Sequence, residues 1–227
     1  MSAALSELSL LEARILGVLV EKQHTVPDTY PLTLNALTAG CNQKSSRDPL
    51  LHASETEVQA GIDRLRAASL IVESSGGRVM RYAHNAERVL GLPSQAVALL
   101  AVMMLRGPQT VGELRINCER LHRFADGSAV EGFLHELAQR SAGALVAMLP
   151  RLAGARENRW MHLLSGAPAA DATVADVATA VTPSRDGDAM RAEIEALKQS
   201  IIELRGEIAS LKASLAGLEP TPGSDGD

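Results

Sequence analysis

Residues 54–84, SETEVQAGIDRLRAASLIVESSGGRVMRYAH, hold the order from which the fold is read. Ser54 and Glu57 stand at capping-box spacing, where each side chain accepts from the other residue's backbone N–H and a helix starts. Val58, Ile62 and Leu65 recur in steps of three and four, so one face of that helix is apolar. Leu70-Ile71-Val72 is an apolar, largely β-branched run, Gly76-Gly77 a tight turn and Val79 to Ala83 a returning strand.

The sequence upstream supplies two more helices. Ser6 to Gln23 carries Leu8, Leu11, Ile15, Val18 and Leu19 on one face, with a second capping box at Ser9 and Glu12. Beyond Pro27 and Pro31, the spacing of Leu34, Leu37 and Cys41 predicts a shorter helix, ended by the polar stretch Asn42 to Asp48 and Pro49. Three helices followed by a hairpin is the order of a winged helix, assigned to residues 1–90.

The pattern then repeats over residues 91–165. Gln95 to Leu105 predicts a helix with Val97, Leu100, Ala101 and Met104 inward. Thr110 and Glu113 cap the next, with Val111, Leu114, Cys118 and Leu121 inward. A third begins near Ser128 and Glu131, and its Val130, Leu134 and Leu137 reproduce the spacing of Val58, Ile62 and Leu65. Ala144 to Leu149 pairs with Arg159 to Leu164, and Arg159-Trp160-Met161-His162 matches Arg81-Tyr82-Ala83-His84. The expected fold class is mainly α with small β hairpins (α+β): two tandem winged-helix domains, a flexible linker and a C-terminal coiled-coil helix.

The linker is the acidic, Ala/Asp/Thr/Gly/Pro-rich stretch 166–189. Over 190–219, Ile194, Leu197, Ile201, Leu204, Ile208 and Leu211 alternate in steps of three and four, a heptad seam that predicts a parallel homodimer. Glu193 and Glu207 fall at g, Lys198 and Lys212 at the following e. A single amphipathic helix lying on the body is the other reading. Residues 220–227 read as a disordered tail.

Composition narrows the function. Of 227 residues only five are aromatic, too few for single-stranded nucleic acid bound by base stacking. Net charge is −5, but residues 1–165 hold 17 Lys and Arg against 16 Asp and Glu, whereas residues 166–227 hold five against 11. The front part is not the strongly basic body of a nonspecific DNA coat, so binding there must come from local patches. Ala96 to Leu105, the longest apolar run, is too short to span a bilayer, and the N-terminus carries no secretory pattern. The expectation is a cytoplasmic protein without membrane contact. No metal, cofactor or enzymatic site is expected, because His24, His52, His84, His122, His135 and His162 lack ligand spacing and neither a phosphate loop nor a nucleophile elbow is present. Cys41 and Cys118 fit a reducing compartment. Cys41 reads either as a structural thiol or as a redox-sensitive one activated by Lys44.

A winged helix that reads DNA puts its third helix in the major groove and its hairpin on the backbone or minor groove. The first repeat presents Thr56, Gln59, Ala60, Asp63, Arg64 and Ala67; Gln59 and Arg64 suit adenine and guanine edges, and Arg78 and Arg81 suit phosphate. The long turn from Asn42 to Ala53 adds Asn42, Gln43, Lys44 and Arg47. The second repeat presents Ser128, Glu131, Gly132, His135, Glu136 and Gln139, two carboxylates and no cation, which suits dimerisation or a protein partner.

Leu11 to Gly17, Glu21-Lys22-Gln23, Tyr30-Pro31-Leu32, Cys41 to Pro49, Leu105 to Thr110, Gly112 to Arg115 and Arg159 to Leu163 together resemble the bacterial YceH family over residues 6–165. The resemblance implies a tandem winged-helix fold and places emphasis on the Asn42–Arg47 loop. Asn117 departs from the family pattern, which has Arg there. Two functions are expected: a winged-helix DNA-binding protein acting as a dimeric transcriptional regulator, or a non-enzymatic adaptor that uses its acidic helix faces and the loop to hold a protein.

Overall fold

The three capping boxes form as the sequence predicts. In the computed structural model, which describes residues 7–75, 79–152 and 154–166, the Ser9 side chain opens α1 (Leu10–Thr25), and a short 3-10 turn, Pro27–Thr29, follows. Next come β1 (Leu32–Thr33) and α2 (Leu34–Cys41), the latter capped by Thr33. Ser54 opens α3 (Glu55–Ala67), which leads into β2 (Ile71–Ser74) and β3 (Arg81–His84). After α4 (Ala86–Leu90), the order recurs as α5 (Ser94–Arg106), α6 (Val111–Asn117) capped by Thr110, α7 (Gly127–Ala138), β4 (Val146–Met148) and β5 (Trp160–His162). The described residues thus form a mixed α+β fold of seven α-helices and two small antiparallel sheets. The Gly76-Gly77 turn, Arg78, the 167–189 part of the linker, the 190–219 heptad and the 220–227 tail lie outside the described residues.

Four expectations are corrected. The first hairpin gains a third strand, because β1 pairs with β3 through Leu32 opposite Tyr82 and gives the order β1-β3-β2. The short helix α4 between the repeats was not foreseen; Gly91 ends it in the left-handed region at φ 62°. The third helix of the second repeat begins at Gly127, capped by the Asp126 side chain rather than by Ser128. Its second hairpin has three-residue strands, shorter than Ala144–Leu149 and Arg159–Leu164.

A fifth correction concerns the core. Amphipathic α1 and α5 were expected, yet every residue from Glu12 to Val20 and from Ala96 to Leu105 is buried. A helix apolar all round is enclosed on all sides. α1 is enclosed by α2 and α3 of its own repeat and by α5 of the other. Gly17 permits that last approach: a Cβ there would lie 3.0 Å from Leu105 Cγ and 3.3 Å from the Ala101 carbonyl. The two repeats therefore share one continuous apolar core.

Candidate nucleic-acid interface

The Asn42–Pro49 loop is held by its own polar side chains. Asn42 Nδ2 donates to the Ala53 carbonyl at 2.7 Å, and the Ala53 amide donates back to Asn42 Oδ1 at 2.8 Å, closing the long turn. Lys22 donates to Gln43 Oε1, and Gln43 Nε2 donates to the Ser45 carbonyl. Buried Arg14 reaches from α1 to both ends of the loop, donating to the Cys41 carbonyl at 3.1 Å and the Pro49 carbonyl at 2.6 Å. The Asp48 amide donates to the Leu105 carbonyl, and Arg106 to Ser46 Oγ, tying the loop to the second repeat.

Arg47 is not available to DNA. Its guanidinium is fully buried and makes a two-pronged pair with Glu21, at 3.1 and 2.6 Å, while Nε donates to the Gly40 carbonyl. Burial alone would raise the Glu21 carboxyl, but hydrogen bonds and charge from Arg47, helped by Lys22, hold it below its usual value. A loop charge outward by composition is inward because α1 offers it a carboxylate 26 residues away.

The reading face of α3 is also engaged. Arg64 pairs with Glu12 of α1, although its side chain remains 59% exposed. Burial works to raise the Glu12 carboxyl too; Arg64 and the Ser9 amide and hydroxyl outweigh it, so the group sits below its usual value. Gln59 donates to Asp63 at 3.1 Å and accepts from the Tyr82 hydroxyl at 3.0 Å, which joins helix to hairpin. Exposed Arg81 donates to the Thr29 and Pro31 carbonyls. Of the proposed contacts within the described residues, Lys44 alone is exposed with no partner among them.

The cations that sequence reasoning passed over are in the second repeat. Arg151 and Arg156 are exposed and Arg159 half-buried on the β4–β5 connection, and none makes an ion pair among the described residues. With Thr110, Pro150, Leu152, Ala155 and Glu157, the last two of these arginines line a groove of about 280 Å³. The signal was legible as three arginines against one glutamate over residues 150–159.

Cys41 is fully buried, which fits the structural reading, and burial pushes its thiol up to about 12, against the weaker opposing pull of Arg14 and Arg47. Cys118 is likewise pushed up to about 12 by burial. Both thiols are neutral at pH 8 in the folded protein, so alkylation by iodoacetamide should be at least a hundredfold slower than after denaturation. Native-rate labelling equal to that of the unfolded chain would contradict this burial.

Among the described residues, no group of three or more His, Cys, Asp or Glu side chains could hold a metal ion, and no helix is long and apolar enough to cross a membrane. Residues 8–155 match the family described as "Protein of unknown function, DUF480". The chain belongs to the DUF480 family. It is 58% identical over 205 residues to a UPF0502 protein of Dechloromonas aromatica, covering 90% of this chain and 96% of that one. To a UPF0502 protein of Burkholderia cenocepacia it is 56% identical over 224 residues, covering 99% of this chain and 93% of the relative. The DUF480 match spans almost the same residues as the resemblance read from the sequence, including the whole Asn42–Pro49 loop.

Proposed function

We propose that the chain is a tandem winged-helix DNA-binding protein, a transcriptional regulator acting as a dimer, whose phosphate contacts come from the second hairpin rather than the first. The observation that carries this reading is Arg151, Arg156 and Arg159 on the β4–β5 connection, which form no ion pair among the described residues and stand where a winged helix would carry its backbone-contacting loop. In the first repeat Arg47, Arg64 and Arg66 are paired internally, with Glu21, Glu12 and the carboxylates of Asp63 and Glu73, whereas Lys44 stays exposed. Dimerisation in this reading comes from the heptad pattern of Ile194, Leu197, Ile201, Leu204, Ile208 and Leu211. Nothing in the reading calls for catalysis, a metal or a cofactor.

Fluorescence anisotropy of the full chain with labelled genomic duplexes, from low to physiological salt, tests it. Each lost phosphate contact lowers the log–log salt slope by about 0.9, so the triple variant R151A/R156A/R159A should flatten it by roughly 2–3. Absence of duplex binding at low salt, or a slope the triple variant leaves unchanged, would overturn the reading. The adaptor reading would then stand, favoured by the exposed carboxylates Glu55, Glu57 and Asp63 on α3 and Glu131 and Glu136 on α7.

A further inference from the structure

The corner where α6 turns toward α7 carries a second surface, separate from the β4–β5 arginines. Ile116, on the last turn of α6, is 66% exposed, the most exposed large apolar side chain among the described residues. Arg115, Ile116, Glu119, Arg123, Phe124 and Ala125 line a groove of about 350 Å³. One lining residue is aromatic: buried Phe124, which packs edge-on against His122 at 4.7 Å and Phe133 at 5.8 Å behind the groove wall. Arg115, Arg120 and Arg123 are exposed and form no ion pair among the described residues, and Glu119 is the one carboxylate lining the groove.

We infer that this groove is a docking site for an acidic peptide segment of a partner protein, anchored by an apolar side chain beside Ile116 and Phe124. Charge complementarity selects the occupant. Arg115 and Arg123 line the groove against the single Glu119, with exposed Arg120 next to Glu119 in sequence, and this excess of positive charge attracts a negatively charged segment and sets its orientation. Exposed Ile116 distinguishes that segment from a phosphate backbone, because a duplex gains little by covering an isoleucine, whereas an apolar side chain seated there removes both itself and Ile116 from water. The groove's volume suits one or two side chains rather than a whole helix face. An exposed isoleucine lining the same groove as Arg115 and Arg123 is the arrangement of a small anchor pocket with a charged rim.

The test uses three labelled 12-residue peptides and the full-length protein: one of Asp and Glu with two leucines, one with lysine replacing each acid, and one with serine replacing each leucine. The acidic leucine peptide should bind at least tenfold more tightly than either of the others. Ile116→Ser and the double variant R115E/R123E should each weaken it at least tenfold. Ile116 and both arginines are exposed, so thermal unfolding of these variants should match the parent. R151A/R156A/R159A should leave peptide binding unchanged, which separates this site from the proposed duplex surface. Equal binding of the serine peptide would reduce the surface to bare charge and overturn the proposal. So would displacement of the peptide by a 20-base-pair duplex, or concentration-dependent self-association that Ile116→Ser abolishes, which would make the occupant a second copy.

Discussion

Arg47→Ala is expected to destabilise the fold by about 3–5 kcal/mol, the cost of leaving one member of a buried ion pair without its partner. The Arg47 side chain is fully buried and that of Glu21 is only 14% exposed. Removing the guanidinium also strips its donor from the Gly40 carbonyl. The pair has a pH signature of fixed sign. Glu21 in the folded chain sits below its ordinary value, so its contribution is fully present above the unfolded value near 4.5 and is lost as pH falls through the folded value. In Arg47→Ala the largest opposing influence is gone and burial dominates, so that acid-side slope should shrink or reverse. Glu21→Gln should also be costly, because Arg47, which Arg14 repels across this buried region, would lose its carboxylate partner. Urea unfolding from pH 3 to 7 measures both effects. A loss under about 1 kcal/mol with the acid slope intact would show that the pair does not hold the loop.

Leu105→Ala is expected to cost about 2–5 kcal/mol, as removal of buried methyl groups from a close-packed site does. Leu105 is 3% exposed and lies against Gly17 where α1 and α5 cross. Gly17→Ala alone gains about 1 kcal/mol of helix propensity but places a Cβ 3.0 Å from Leu105 Cγ and 3.1 Å from Cδ2. Overpacking of that kind costs about 1–3 kcal/mol, so the single variant should be neutral to destabilised. In the Leu105→Ala background the added methyl enters vacated space, and the same substitution should stabilise. A double-mutant cycle by urea denaturation reads this sign change directly. Strict additivity of the two substitutions would mean that the helices do not meet through these residues.

Local features were legible because their causes are local. Ser9, Ser54 and Thr110 each cap a helix through a glutamate three residues on, and the spacing of Val58, Ile62 and Leu65 or Val130, Leu134 and Leu137 marks a buried face whatever lies opposite. The candidate site was less legible because side-chain direction depends on distant partners. Arg47 faces inward toward Glu21, Arg64 is drawn to Glu12 across 52 residues of chain, and Arg81 finds the Thr29 and Pro31 carbonyls. None of these partners shares a periodic pattern with its arginine. The Ala96–Leu105 run did signal full enclosure, but its helical spacing was read first and hid it. In the second repeat the outward face of the third helix carries no cation, whereas the hairpin connection, outside any periodic pattern, carries Arg151, Arg156 and Arg159.

The enclosure of α1 makes the two halves of the body thermodynamically inseparable. Its residues from Glu12 to Val20 are covered partly by their own repeat and partly by α5, so neither half alone could keep that surface from water. Two halves joined by a linker ordinarily have a joint that can flex, and here the α1–α5 contact between them is part of the interior. The hairpins β2–β3 and β4–β5 consequently behave as two marks on one ruler. Any signal that alters their spacing must melt the core, and any signal that spares the core must act by moving the body as a whole.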